Sequence, residues 1–291
     1  MLIRLAYDIQ FDLPFDVPMV ALLYVHPSRT GDLLEPDELQ TEPRLDVTTY
    51  LDTFGNRCAR FLAPHGHLRL SSSTLIHVSG ETDPVSPNAR EIPVAELPND
   101  LLRFLLSSRY CEVDLFANIA FQLFGQIAPG WGRVQAICDW VHNHITFDYQ
   151  QARPTKSAMD VYTERVGVCR DYQHLAITLC RAMNIPARYA TGYLGDIGVP
   201  LRLPMDFSAW FEAWLDGEWM TFDARNNVPR IGRVLMATGR DAADVALTTS
   251  FGRADLSYFY VVSEVEIPVP VDEQFVDPIS GLPYFVSPPG A

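Results

Sequence analysis

The stretch from Cys169 to Pro186 constrains this chain most. Leu175, Ala176, Leu179, Cys180 and Met183 recur there at spacings of one, three and four, the signature of an amphipathic helix laid on a core. Pro186 ends the run, because a proline cannot continue a helix, so the spacing predicts a helix over residues 169–184. The approach Arg165-Val166-Gly167-Val168 delivers Cys169 to the start of that helix. A thiol in a first helical turn lies at the positive end of the macrodipole, near unpaired backbone N–H groups, which favours the thiolate. Two readings fit: a nucleophile, or a buried structural cysteine, the commoner fate of a free thiol.

With 291 residues, 48% of them hydrophobic and 20% charged, the chain can bury a sizeable core, and its length predicts two domains of ordinary size. The formal net charge of −14 argues against nucleic acid or an anionic membrane as partner, since both need clustered Lys and Arg. Residues 1–9 alternate like a half-buried strand instead of forming the continuous apolar run of a secretory signal. No stretch is long and apolar enough to span a bilayer. Five cysteines, Cys58, Cys111, Cys138, Cys169 and Cys180, are scattered and form no CxxC pair, which suits reduced thiols and predicts a cytoplasmic protein.

The hydrophobic period divides the chain. Residues 1–95 read as an all-β domain with strand-like runs at 3–11, 19–26, 45–52, 58–63 and 67–78, a turn at 27–32 and a hairpin connection at 52–56. A proline-bearing linker spans 82–98. Helical spacing follows at 101–106, 113–124 and 134–145, the last placing Cys138 in the core. After the Cys169 helix come a strand at 187–193, a Gly- and Pro-rich loop at 195–204 and a hairpin of residues 207–215 and 218–223. Its turn, Asp216-Gly217, is a type I′ signal. Counting back from it sets Trp210 opposite Asp223 and Ser208 opposite Arg225. The expected organisation is an N-terminal β domain (1–95), an α+β core (96–230) and a C-terminal extension (231–291) packing on the core, with partial disorder from Ile267 onward.

A thiolate, an imidazole that pairs with it and protonates the leaving group, and a carboxylate that orients the imidazole are the parts of papain-like acyl chemistry. Four ordered motifs match such a site: Gly167-Val168-Cys169-Arg170-Asp171-Tyr172-Gln173-His174-Leu175-Ala176, Asn184-Ile185-Pro186-Ala187-Arg188-Tyr189, Ala209-Trp210-Phe211-Glu212 and Trp219-Met220-Thr221-Phe222-Asp223. Over about residues 130–230 the chain resembles the bacterial transglutaminase-like (transglutaminase/protease) superfamily. The resemblance implies a papain/transglutaminase-like core, a helical part with the cysteine helix packed on an antiparallel sheet, preceded by an all-β domain. It implies Cys169 as nucleophile and Asp223 as orienting acid. Active members usually carry a histidine immediately before the Ala-Trp pair, and here Ser208 stands there. A serine hydroxyl takes up no proton near neutrality and cannot replace imidazole.

Among the other histidines, His174 lies five residues beyond Cys169, about 140° around the helix and roughly 7.5 Å along it, so it points away. His142 and His144 could reach the site only through tertiary folding. Asp223 or Glu212 acting directly on the thiol is a further possibility. Trp210, Arg170 and Asp171 are expected in the substrate cleft. Arg165 and Arg170 either stabilise the thiolate or form a solvated ion-pair face. Trp214 and Trp219 fit either a groove or the core. The HxH pairs at His65/His67 and His142/His144 lack a zinc framework, and no GxGxxG or P-loop is present, so neither metal nor cofactor is expected. The function expected is a cysteine hydrolase or acyl transferase forming a Cys169 thioester with a peptide or protein amide. The alternative is an inactive member binding peptide or protein partners in the same cleft. Oligomeric state is left open.

Overall fold

The computed structural model describes residues 1–201 and 204–266; the disorder expected from Ile267 onward lies outside them. The strands and helices run β1 (Leu2–Leu13), β2 (Val17–Ala21), β3 (Gln40–Glu42), β4 (Thr48–Leu51), β5 (Arg57–Ala63), β6 (Gly66–His77), α1 (Val113–Phe124), α2 (Trp131–His144), β7 (Thr146–Phe147), α3 (Ala158–Glu164), β8 (Val166–Gly167), α4 (Cys169–Ala182), β9 (Ala187–Tyr193), β10 (Ser208–Leu215), β11 (Glu218–Phe222), β12 (Val234–Gly239), β13 (Thr248–Ser250) and β14 (Asp255–Val265). Among the described residues no helix is long and apolar enough to cross a membrane.

The first part is a sandwich of two four-stranded sheets, ordered β14-β1-β6-β3 and β13-β2-β5-β4. Strict alternation in β1 sends Ile3, Leu5, Tyr7, Ile9 and Phe11 inward, the period of a strand with one buried face. Two of the eight strands come from the far end of the chain: β14 pairs antiparallel with β1, and β13 with β2. Among the described residues of the C-terminal segment, β12 alone joins the core sheet, beside β9. The expected extension therefore divides, its later strands completing the N-terminal sandwich because β1 and β2 present open edges that hydrogen-bond them.

The core packs α1, α2 and α3 around α4, which lies against the antiparallel sheet β11-β10-β9-β12. α4 is not laid on a core by one face. Every residue from Asp171 to Arg181 is buried, including Gln173, His174, Thr178 and Arg181. Leu175, Ile177 and Leu179 each contribute roughly 1.5–3 kcal/mol of burial, and most polar groups of that buried stretch find hydrogen-bond partners, His174 Nδ1 and Asp171 Oδ1 being the exceptions. The Arg181 guanidinium, for example, donates to the carbonyls of Ala187 and Leu106. The helix ends as Pro186 requires, with Asn184 in the left-handed region at φ 63°.

The β10–β11 hairpin turns at Asp216 (φ 49°) and Gly217 (φ 91°), a type I′ pair, and Leu215 faces Glu218. Pairing stops at Phe211–Phe222. The predicted Trp210–Asp223 and Ser208–Arg225 pairs do not form, because the chain curls from Asp223, whose carbonyl accepts from the Asn227 N–H at 2.8 Å. The stretch predicted as a helix at 101–106 is a 3-10 turn over Asn99–Phe104, held by burial of Leu101 and Phe104 beside Phe54 and Trp219. Residues 82–98 form a strap instead of a free linker: Asp83 pairs with Arg233, Arg90 with Asp216 and Glu91 with Arg133.

Candidate active site

Cys169 opens α4 after Val168, which is extended at φ −110° and ψ 178°. The turn is fixed by Asp171, whose Oδ2 accepts from the Val168 N–H at 2.9 Å. At Gly167 a Cβ would stand 2.7 Å from both Cβ and Oδ2 of Asp171, so glycine is what lets the cap approach. Cys169 is half-buried and lines a cavity of about 610 Å3 between the core and the sandwich. Burial pushes its thiol up to about 11, against the opposing charge of Arg225 and with added push from Asp206 and Asp171. The thiol thus lies above its ordinary value instead of below it, because desolvation outweighs the Arg225 charge and the backbone hydrogen bond at Arg170. Arg170 does not help, since it donates to the Arg153 carbonyl and lies 3.5 Å from Asp171.

Asp223 follows β11 and is 7% exposed. Its Oδ1 accepts from the backbone N–H groups of Arg225 and Asn226, both at 3.0 Å, and from Gln173 Nε2 at 3.2 Å. Its Oδ2 accepts from Asn226 Nδ2 at 2.8 Å and from Arg233 at 2.9 Å. Burial alone raises such a carboxyl, but the Arg233 charge and the Asn226 hydrogen bonds outweigh it and hold Asp223 below the usual carboxylate range. Arg233 also grips Asp83 at 2.8 Å and stacks its guanidinium over Trp210, 5.2 Å from the ring centre.

Ser208 begins β10 opposite Gly192 of β9 and is 7% exposed. The fold places it on the wall of the Cys169 cavity. Asp223 lies behind that wall and borders a second cavity of about 330 Å3. The lining residue whose side chain touches Asp223 is Asn226, so Asn226 occupies the link between cavity and acid. Trp210, Arg170 and Asp171, expected in the cleft, are absent from its lining. Trp210 is buried beneath Arg233, and the other two serve the turn before α4. Trp214 and Trp219 pack on each other at 5.2 Å beside Phe104, and Glu212 is ion-paired to Arg188.

None of the seven histidines lines the cavity. His174 is stacked on Tyr110 at 4.9 Å and accepts the Ala242 N–H on Nε2 at 3.1 Å. Burial holds its pKa well below the histidine norm, so it is a neutral core group. His142 Nδ1 donates to the Arg225 carbonyl at 2.9 Å, and His144 Nε2 to the Tyr162 carbonyl at 2.9 Å. Among the described residues no group of three or more His, Cys, Asp or Glu side chains is placed to hold a metal ion.

Four residues of the site escaped sequence reasoning. Gln173 joins the cysteine helix to the acid, donating to the Ala209 carbonyl and to Asp223 and accepting from the Ala224 N–H. Its position four residues after Cys169, hence on the same helix face, was a usable signal. Arg225, Asn226 and Arg233 reach the site only because the chain turns after Phe222, which no period announces.

A family model described as the transglutaminase-like superfamily matches residues 117–224. A crystal structure from Cytophaga hutchinsonii, named a "Putative Cysteine Protease", superposes with a TM-score of 0.82 at 33% identity, covering 91% of this chain and 90% of that one. An uncharacterized protein of Mycobacterium leprae is 27% identical over 230 residues, covering 75% of this chain and 81% of its own. One of Mycobacterium tuberculosis is 26% identical over 220 residues, covering 69% and 70%. With the fold, the helix-borne Cys169 and the Asp223 that follows the hairpin, these matches establish that the chain belongs to the transglutaminase-like superfamily, a family of cysteine hydrolases and acyl transferases.

Proposed function

We propose that the Cys169 cavity binds a peptide or protein ligand without imidazole-assisted turnover. The observation that carries this is the composition of the wall: no histidine lines it, and the carboxylate that would orient one is engaged by Arg233 and Asn226. A thiol raised to about 11 is ionised at neutral pH only to the order of one part in ten thousand. Among the described lining residues no imidazole is present to shuttle a proton to a leaving amine, and loss of a triad base costs several orders of magnitude. Five unpaired cysteines suit a reducing compartment, so the cytoplasm is the proposed location.

Ser208→His and Asn226→His, made singly, test the reading with a fluorogenic peptide amide and a small thioester. The natural chain is expected to match its Cys169→Ala variant. At least one histidine variant is expected to gain turnover that Cys169→Ala then abolishes. Turnover by the natural chain that depends on Cys169 refutes the proposal.

A second reading, slow acyl transfer through Cys169, is favoured by the Arg225 charge acting on the thiol and by the name of the Cytophaga hutchinsonii relative. In it Cys169 attacks a carbonyl, the amine or thiol leaves with a proton from solvent, and a thioester forms. Its mark is an acyl adduct on Cys169 after incubation with the thioester, seen by intact-mass spectrometry.

A further inference from the structure

Among the described residues, two arginines line the Cys169 cavity in a chain of net charge −14, and they are not equivalent. Arg230, 7% exposed, pairs with Asp196 at 3.0 Å and donates to the Gly195 carbonyl at 3.0 Å. Its Nε has no partner. Arg225 is half-buried, lies over the Phe147 ring at 4.3 Å and makes no ion pair with any described carboxylate. A guanidinium with one face on an aromatic ring keeps its N–H edge for a planar anion, and carboxylate is the geometry that edge fits. Ser263, 4% exposed and on the same wall, has a hydroxyl with no partner. Arg225 and Cys169 line the same cavity, and the Arg225 charge favours the ionised forms of both the Cys169 thiol and the Asp206 carboxyl.

From this arrangement we infer that the cavity selects ligands that carry a carboxylate close to the carbonyl presented to Cys169, with Arg225 as the group that recognises it. The ligand class is an acidic or C-terminal peptide segment. Asp206, exposed at the cavity wall, opposes any anion that enters, so removing its charge strengthens carboxylate binding at Arg225. Arg230, spent on Asp196, shapes the wall. The inference rests on the reading of this cavity as the ligand site, and it does not require turnover.

Iodoacetate and iodoacetamide differ in charge and are attacked by the same thiolate sulfur with loss of iodide, so the ratio of their rates at Cys169 reports anion recognition while any change in thiolate fraction cancels. Rates are read by peptide mass spectrometry, with glutathione as the unstructured reference. The acetate-to-acetamide ratio at Cys169 is expected to exceed that of glutathione about tenfold, the worth of one charge-assisted hydrogen bond. It is expected to fall to the glutathione value in Arg225→Gln, to persist in Arg225→Lys and to rise in Asp206→Asn. A ratio equal to that of glutathione, or one unchanged in Arg225→Gln, overturns the carboxylate assignment while leaving Cys169 the centre of the site. A Cys169 that neither reagent reaches overturns both readings, because the cavity is then closed to a two-carbon ligand. Protection of Cys169 from iodoacetamide by N-acetyl-dialanine, and not by its amide, identifies a chain terminus as the source. Protection by N-acetyl-aspartyl-alanine amide identifies an acidic side chain.

Discussion

Replacing Arg233 by glutamine removes the cation that holds the back of the site. Arg233 is 7% exposed on its side chain, bonds Asp83 through Nε at 2.8 Å and Asp223 through a terminal nitrogen at 2.9 Å, and Asp223 is itself almost fully buried. Each charged hydrogen bond is worth about 1.5–3 kcal/mol, so two give about 3–6. Breaking a buried pair from one side costs about 3–5 kcal/mol by measurement on other proteins. The two estimates meet at about 3–5 kcal/mol, while the exposed Arg253–Asp255 pair is expected to give under about 1 kcal/mol on the same change. Urea unfolding followed by tryptophan fluorescence and by circular dichroism provides the measurement, with coincident transitions as the check on two-state behaviour. The pH dependence has a definite sign. In the natural chain Asp223 is held below its unfolded pKa, so it adds stability above about pH 4 that is lost as pH falls through its folded value. Without Arg233 the burial of Asp223 is left less opposed and its pKa rises, so the variant recovers part of its deficit on acidification from pH 7 to pH 5. A loss below about 1 kcal/mol at pH 7, or a deficit identical at both pH values, refutes this account of the ion pair.

Other outcomes follow from the same geometry. Native labelling with iodoacetamide is expected to modify Cys169 alone, since the other four cysteines are buried, with a rate rising about tenfold per pH unit from pH 7 to 10; a plateau by pH 8 contradicts a thiol near 11. His174 is held neutral by burial, so it contributes stability above its unfolded pKa of about 6.5 that is lost as pH falls below it. His174→Phe is accordingly expected to flatten the acid limb of a stability-versus-pH curve, and an unchanged limb counts against a depressed pKa. At Gly192 a Cβ would lie 2.1 Å from the Val234 carbonyl oxygen, so Gly192→Ala is expected to cost about 2–4 kcal/mol by parting β9 from β12; a loss under about 0.5 kcal/mol means the strands can shift. Gln173→Leu is expected to destabilise by about 1–3 kcal/mol, since it strands the Ala224 N–H and weakens the tie to Asp223, again read by urea unfolding.

What the sequence by itself determined was local. The 3.6-residue period and Pro186 fixed α4, Asp216-Gly217 fixed the register of β10 on β11, and the alternation of residues 3–11 fixed β1, because each depends on interactions within a few residues of chain. The same local signals set Cys169 at a helix start and Asp223 just beyond a hairpin. Tertiary structure decided the rest. The burial of α4 on all sides, the return of β14 to pair with β1 and the strap that brings Asp83 to Arg233 join segments far apart in the chain. Pairing at that distance depends on which surfaces meet, and a residue pattern cannot name them. The thiol of Cys169 shows the difference most directly. Its helix position favours a thiolate, but burial raises its pKa, and the described wall of its cavity is assembled from the segment between β9 and the start of β10, β7 and the residues after it, the turn after β11, and β14.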